Sequence, residues 1–210
     1  MAITTNAELK TAIANWLERD DLTSRIPEFI SLTEDNIGRE LRVRAMETSV
    51  NLTVSSQETA LPTGFVQQRR LYRDNDASRL EFFPPEDFWI RNAKSETGTP
   101  KLYTIEGDNL VVGPSPDVSQ TFKLLYFKKF TALSDDSDTN WIFTNARGLY
   151  LFGTLIELSM YHEDEVGAIK WSVRWDNLLE KVHTANVKDR FPLGSLQMRS
   201  DVRGLSELKS

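Results

Sequence analysis

Hydrophobic residues recur at helical spacing in the first part of the chain. A first stripe predicts a helix over about 6–18, and Thr5 followed by Glu8 has the spacing of a capping box at its start. A second stripe predicts a helix over about 24–44, with Pro27 tolerated in its first turn. Because only a few residues separate the two helices, they are expected to pack as an antiparallel hairpin.

The pattern changes to an alternation of apolar and polar residues beyond the second helix. Val50, Leu52 and Val54 alternate with polar residues, which indicates a half-buried strand. Further strands are predicted at about 67–73, 79–83, 101–105, 109–112 and 120–127. Turn-forming residues separate these runs, and the Gly-Asp-Asn sequence at 107–109 predicts a tight hairpin. The region 47–140 is therefore interpreted as a small antiparallel β-rich module.

Helical spacing returns in the last third of the chain. Two more helices are predicted, over about 144–162 and 164–189. Gly153 lies inside the first of them, where glycine costs about 1 kcal/mol relative to alanine and so indicates close packing against a neighbour. The segment 191–210 has spaced apolar residues without helical or strand periodicity and is interpreted as an extended arm.

These elements predict an α+β protein. The two helix pairs are expected to form one antiparallel helical bundle with the β-rich module inserted between them, because that packing buries their apolar faces together. The expected boundaries are 1–46 for the first helical pair, 47–140 for the insertion, 141–190 for the second pair and 191–210 for the extended C-terminal arm.

The last predicted helix has an apolar arc that is too wide for one face. Val166, Ile169 and Val173 form one stripe, and Trp171 and Trp175 extend it around the helix. Two interpretations follow: a helix buried on two sides within the bundle, or a contact between subunits, where tryptophan is enriched. The sequence favours neither, so Trp171 and Trp175 are candidates for a subunit interface.

Composition limits the classes of function. The chain has 25 Lys and Arg against 31 Asp and Glu, a formal net charge of −6, which provides no general affinity for nucleic acid. It contains no cysteine, which excludes disulfides, thiolate metal sites and cysteine nucleophiles. No apolar stretch approaches the roughly 20 residues of a membrane span, and the first residues lack the features of a signal peptide, so synthesis in the cytoplasm is expected.

Motifs for catalysis and metal binding are weak. The two histidines, His162 and His183, lie on different predicted helices, and neither has a second histidine at metal-ligand spacing. The acidic run 136–140 imitates the start of a calcium loop, but Trp141 occupies the position that needs glycine. We therefore expect no enzymatic activity, no metal and no cofactor. A hydrolase that uses paired carboxylates is the enzymatic alternative.

The densest basic cluster consists of Arg69, Arg70 and Arg73 around Tyr72. Arginine interleaved with an aromatic residue is compatible with nucleic-acid contact. On a strand, however, these side chains would alternate between the two faces, which better suits a sheet edge or a contact between subunits. Arg69 and Arg73 are therefore further candidates for a subunit interface.

Seven segments of the chain are similar, in order, to a known protein family. They are residues 6–22, 26–44, 59–65, 84–88, 100–105, 113–117 and 139–142. The segment 113–117, for example, reads Gly-Pro-Ser-Pro-Asp. Together the segments resemble the head-to-tail adaptor proteins of tailed bacteriophages, over about residues 4–190. Their order and combination carry the resemblance, since no segment is diagnostic alone.

The resemblance implies a structural protein of the virion, at the junction of head and tail. Such adaptors form a ring, usually of twelve subunits, that binds the portal protein, extends the DNA channel and docks tail or nozzle proteins. Genomic DNA would pass through the channel without specific binding, which the acidic balance of the chain favours. No membrane is implied. The alternative is a tail-tube or tail-completion protein that forms a ring below the adaptor.

The resemblance also implies a role for the C-terminal arm, which in this family commonly reaches the portal. Six apolar residues are the candidate portal contacts: Phe191, Leu193, Leu196, Met198, Val202 and Leu205. A segment of this kind would become ordered on binding, losing conformational entropy while gaining a wide contact surface.

Overall fold

The computed structural model describes residues 3–18, 21–75, 77–92 and 97–190. The helices are α1 (Asn6–Leu17), α2 (Ile26–Glu40), α3 (Pro85–Arg91), α4 (Trp141–Tyr161) and α5 (Glu165–Arg190). The strands are β1 (Glu47–Val54), β2 (Glu58–Ala60), β3 (Phe65–Arg73), β4 (Glu81–Phe82), β5 (Leu102–Glu106), β6 (Asn109–Gly113) and β7 (Gln120–Lys128). This arrangement confirms the predicted α+β class.

The four long helices form one bundle. Helix α4 is its centre and packs against α5, α2 and α1. One hydrophobic cluster joins all four helices, with Leu9, Ile37 and Leu155 among its fully buried members. The two helix pairs, which are separated in sequence by the β-rich module, thus share a single core.

Helix α1 begins with the predicted capping box. The Thr5 hydroxyl accepts a hydrogen bond from the Glu8 N–H (3.3 Å), and the Glu8 carboxylate accepts one from the Thr5 N–H (3.2 Å). The next side chain, Asn6, is fully buried and donates to the carbonyl oxygens of Leu133 (3.2 Å) and Asp135 (3.1 Å). The start of α1 is therefore fixed to the loop that precedes α4.

Helix α2 is shorter than the predicted 24–44, because its last residue is Glu40. Leu41 is extended, and Arg44–Met46 form a 3-10 turn. Leu41 and Val43 are 0% and 1% exposed, and an extended chain places residues two apart on the same side, as a helix does not. The helix therefore ends where extension buries both side chains in the core.

Two sheets form the inserted module. In the first, β7 lies between β1 and β3, and both pairs are antiparallel. In the second, the strand order is β2-β6-β5-β4, and β4 runs parallel to β5. Helix α3 supplies the crossover that parallel neighbours require. The predicted antiparallel module is confirmed, with one parallel pair at the edge of the second sheet.

The two sheets share a hydrophobic cluster that is distinct from the bundle core. Leu71 and Phe122 of the first sheet and Leu110 of the second are fully buried in it. The predicted hairpin connects β5 to β6, and Gly107 adopts a φ of 57°, in the left-handed region that glycine tolerates. The strand predicted over 79–83 is divided between the sheets. Arg79 forms one bridge to Tyr72 of β3 in the first sheet, whereas β4 pairs with β5 in the second.

Helix α4 begins earlier than the predicted residue 144. Asn140 caps it by accepting a hydrogen bond from the Phe143 N–H (2.9 Å), which adds a first turn from Trp141 onward. At Ala146 the backbone leaves helical geometry (φ −144°, ψ 44°), so that first turn meets the rest of the helix at a kink.

Gly153 of α4 allows α2, α4 and α5 to approach closely. A Cβ atom at this position would lie 2.4 Å from Thr33 Cγ2 of α2 and 3.2 Å from Trp175 Nε1 of α5. The close packing predicted from the sequence is therefore present.

Replacing Gly153 with alanine is expected to lower the free energy of unfolding by about 1–3 kcal/mol, because the overlap with Thr33 exceeds the gain in helix propensity. Gly38→Ala in α2 is the matched control, since nothing lies within 4 Å of its Cβ, and it should stabilise by roughly 0.5–1 kcal/mol. Urea unfolding measures both variants. Stabilisation by both substitutions would contradict this account of Gly153.

Candidate subunit interface

Helix α5 begins at a well-defined turn after α4. The Asp164 carboxylate accepts a hydrogen bond from the Gly167 N–H (3.0 Å), in the manner of an N-terminal cap. Glu163 has a φ of 59°, and its N–H donates to the Met160 carbonyl oxygen (3.1 Å). These local bonds set the direction in which α5 turns back to pack on α4.

One side of α5 packs within the subunit. Trp171 stacks on Phe152 of α4, with ring centroids 6.1 Å apart and planes 10° apart, and it also contacts Trp16 of α1 at 5.4 Å. Trp175 lies against Gly153. Both tryptophans are half-buried by their own chain. They support α5 from the bundle side.

The opposite side of α5 carries an exposed apolar stripe, defined here as Val166, Ile169 and Val173. Their exposed fractions are 80%, 65% and 55%. The interpretation of a helix buried on two sides within the bundle is wrong for the single chain, because α4 and α1 cover only the tryptophan side. The apolar stripe is thus available to another molecule.

Charged residues flank the apolar stripe on both sides. At about 100° per residue, Lys170 and Arg174 follow on the side toward Trp171, and Glu165 and Asp176 follow on the other side. Lys170 Nζ and Arg174 Cζ lie 4.5 Å and 5.3 Å from the Trp171 ring, which holds these cations beside the stripe. An apolar centre with rows of opposite charge on its rim has the composition of a specific protein contact.

The three arginines of β3 each make a hydrogen bond within the subunit. Arg69 donates to the Glu47 carboxylate (2.9 Å), and Arg73 donates to the Pro100 carbonyl oxygen (3.0 Å). Arg70 donates to the Tyr72 hydroxyl (3.1 Å). A β-bulge between residues 68 and 70 also breaks the alternation expected for a regular strand. The arginines therefore do not form one continuous basic surface.

A partly buried polar network connects α2 to α4. The Glu34 carboxylate accepts hydrogen bonds from the Leu133 N–H (2.8 Å) and the Tyr150 hydroxyl (3.2 Å). The Tyr150 oxygen accepts one from the Asn140 amide (2.6 Å). Burial raises the pKa of Glu34 and also that of Tyr150. The neighbouring Asp35 bonds to Lys129 (3.0 Å), which lowers the pKa of Asp35.

This network lacks the space that a catalytic site needs. The cavity beside Glu34 has a volume of about 20 Å³, enough for about one water molecule and not for a substrate. Across the described ranges, no group of three or more His, Cys, Asp or Glu residues is arranged to hold a metal ion. The network fixes α2 against α4. The raised pKa of Glu34 results from its burial in this contact.

The Glu34 network predicts a pH-dependent difference between two variants. Because burial raises the pKa of Glu34 above its unfolded value, the stability contributed by this group is full below the ordinary carboxyl range and is lost as pH rises through the folded pKa. Glu34→Gln keeps a hydrogen-bond acceptor but carries no charge. The free energy of unfolding of this variant should therefore increase relative to that of the wild type as pH rises from about 4 toward 7.

Glu34→Ala is the matched comparison, because it leaves the Leu133 N–H and the Tyr150 hydroxyl without their acceptor. It is expected to destabilise by about 1–3 kcal/mol at both ends of that pH range. Urea unfolding at several pH values measures both variants. A wild-type advantage over Glu34→Gln that increases with pH would contradict the assignment.

The six candidate portal contacts of the C-terminal arm lie outside the described residues. They are Phe191, Leu193, Leu196, Met198, Val202 and Leu205. The end of α5, from which the arm continues, is held by Asn186, which is 8% exposed. Asn186 accepts a hydrogen bond from the Arg44 N–H (2.8 Å) and donates one to the Arg42 carbonyl oxygen (3.1 Å).

A model of one protein family, described as SU10 adaptor protein, matches residues 4–199. The chain belongs to this family. The match confirms the resemblance to phage adaptor proteins, and it identifies a structural component of the virion. The adaptor family is not a class of enzymes. No curated protein sequence gives a significant match to the chain.

Two findings concern the relation of this adaptor to membranes and to other phage proteins. None of the helices in the described ranges is long and apolar enough to cross a membrane. Membership of the family also implies, in general terms, interaction with portal and tail proteins of a phage.

The sequence of this adaptor predicted the apolar stripe of α5 but not that the stripe is the exposed side of the helix. Its residues were recognised as apolar and periodic, but the tryptophans were named as the interface candidates. The signal was the width of the apolar arc, which exceeds what one neighbouring surface can cover. The side that a partner covers depends on packing against α4, which the sequence of α5 alone does not reveal.

Proposed function

We propose that the chain forms a closed ring beneath the portal, extends the DNA channel and docks tail or nozzle proteins. The observation that carries the proposal is the exposed apolar stripe of α5 in a member of the phage adaptor family. Burying a Val or Ile side chain contributes about 1.5–3 kcal/mol, so covering the stripe would be a substantial part of an association energy.

A ring in which each subunit binds the next by a heterologous contact requires two different surfaces on each subunit. The second surface in this proposal is an exposed apolar patch on the β-rich module, defined as Phe82, Trp89 and Ile90. Their exposed fractions are 43%, 43% and 75%. The Trp89 indole donates to the Glu106 carboxylate, which holds α3 against the second sheet. The α5 stripe of one subunit would contact this patch on the next.

Trp171 and Trp175 serve the ring by holding α5 in position, with their buried sides on the bundle. Arg69 and Arg73 lie on β3, an edge strand of the first sheet, and are the proposed polar contacts of the ring. The copy number of twelve comes from the family resemblance alone. The net charge of −6 per chain would let DNA slide through the channel without being held.

The proposed attachment to the portal runs through the segment after α5. Its six apolar candidate contacts are interspersed with Pro, Gly, polar and charged residues, as in a segment that folds on a partner. The bonds of Asn186 fix the end of α5 and therefore the point from which this segment starts.

Co-sedimentation with purified portal protein alone tests the proposal. An adaptor should pellet with the portal, whereas a tail-tube or tail-completion protein should not bind the portal without the adaptor. Absence of the chain from the portal fraction would overturn the proposed position in the virion.

A further inference from the structure

Helix α3 presents an outer face whose character changes along its length. Phe88 is fully buried and fixes the inner side of the helix, whereas Ile90 is 75% exposed. At about 100° per residue, Ile90 lies nearly opposite Phe88. Glu86 and Asp87 precede Ile90 by about one turn, share its side of the helix and are exposed. The outer face of α3 is therefore acidic at its start and apolar in its second turn.

The end of α3 carries the opposite charge. Arg91 follows Ile90 directly and is exposed, and its Cζ atom lies 4.5 Å from the centre of the Phe83 ring. This contact holds the guanidinium at the C-terminal end of the helix. Among the described residues, none forms an ion pair with Glu86, Asp87 or Arg91. These three charges are therefore available to another molecule.

The apolar stripe of α5 has flanks of opposite charge that match the two ends of α3. Lys170 and Arg174 lie on one flank, and Glu165 and Asp176 lie on the other. All four are exposed, and within the described ranges none is in an ion pair. Helix α3 has seven residues and is about 10 Å long, close to the diameter of a helix with its side chains. It can therefore reach from one flank to the other when it crosses the stripe.

The charges distinguish two orientations of the same apolar contact. When the start of α3 lies over Lys170 and Arg174, Ile90 lies on the stripe. Arg91 then meets Asp176 on the far flank. When α3 is reversed, its carboxylates face acids and its guanidinium faces cations. Apolar burial is non-directional, whereas like charges across an interface disfavour the wrong arrangement, so the charges permit only the first orientation.

We propose that α3 of one subunit crosses α5 of the next in this orientation, with Glu86 and Asp87 paired to Lys170 and Arg174. The pairing rests on the proposed contact between the apolar stripe and the patch on the β-rich module. It adds the direction of α3 relative to α5, which sets the rotation between neighbouring subunits. Because a heterologous contact closes into a ring only at a suitable rotation, these charges determine closure.

Two charge-reversed variants of the full chain test the pairing. The first carries Lys170→Glu and Arg174→Glu, and the second carries Glu86→Lys and Asp87→Lys. Each alone places like charges across the contact, so sedimentation velocity should show assembly weakened by at least about tenfold. In an equimolar mixture, each α5 meets a complementary α3 on the other variant. Assembly should therefore return in the mixture.

Lys181→Glu combined with Lys188→Glu is the matched control. Both lysines are exposed on the same flank of α5, about 10 and 21 Å beyond Arg174, and the change in net charge equals that of the first variant. The control should assemble like the wild type, and thermal melts verify that every variant folds. A mixture that assembles as weakly as its components, or a control that loses assembly equally, would overturn the pairing.

The substitutions Ile169→Asp and Val173→Asp separate failure of the pairing from failure of the proposed ring. If both charge-reversed variants assembled like the wild type while this apolar variant did not, the stripe contact would stand and the pairing alone would be wrong. A wild type that stays monomeric would instead overturn the proposed ring, and the pairing with it.

Discussion

A subunit carrying Ile169→Asp and Val173→Asp should remain folded and fail to assemble. Both positions are more than half exposed in the free chain, at 65% and 55%, so the aspartates stay hydrated there. In an assembled ring they would be buried against an apolar surface, and unpaired buried charge costs several kcal/mol. A penalty of about 4 kcal/mol weakens each contact roughly 1,000-fold.

Sedimentation velocity measures the assembly state of this double variant, and circular dichroism measures its fold. Val187→Asp provides the matched control, because Val187 is also 55% exposed on α5 but lies about 21 Å farther along the helix than Val173. It should assemble like the wild type. If the double variant formed the same oligomers as the wild type, the stripe would not be a subunit contact.

Removing the residues after Phe191 should abolish binding to the portal while leaving the domain folded. Both hydrophobic clusters are built from residues before 190, so the truncated chain keeps its described cores. The lost segment carries five of the six apolar residues proposed as portal contacts. Loss of the whole contact surface should reduce co-sedimentation with portal to the background level.

A shorter truncation after Ser200 divides the six candidate portal contacts of the arm. It keeps Leu193, Leu196 and Met198 and removes Val202 and Leu205. The thermal melt of both truncated proteins verifies that they fold. Normal portal binding by the protein truncated after Phe191 would show that the arm does not attach the adaptor to the portal.

The elements of this fold were predictable where the local pattern is strong. The capping box of Thr5 and Glu8, the Gly107 hairpin and the close approach at Gly153 each depend on a few adjacent residues or on a known cost of glycine. Local chemistry determines such features almost independently of the rest of the chain. The sequence therefore predicted their positions and their physical roles.

Features that depend on distant parts of the chain were missed. The end of α2 is set by burial of Leu41 and Val43 in a core that includes α4 and α5. The acceptor role of Glu34 depends on Leu133, which lies 99 residues away. Helical periodicity cannot report such contacts, because it describes one segment at a time.

The candidate interface shows the same limit. The sequence revealed that α5 has too many apolar residues for one face, which implied a second contact. It could not show which side packs on α4, since that depends on the fit of Trp171 and Trp175 against Phe152 and Gly153. The structure reverses the emphasis: the tryptophans face the bundle and the aliphatic stripe faces outward.

Electron microscopy of the full-length chain mixed with purified portal protein tests the central proposal most directly. The account predicts closed rings of the chain seated on one face of the portal, with a channel coaxial with the portal channel. The Ile169→Asp and Val173→Asp variant should give portal particles that lack this ring. Wild-type mixtures that show only bare portal particles would contradict the proposed role as a head-to-tail adaptor.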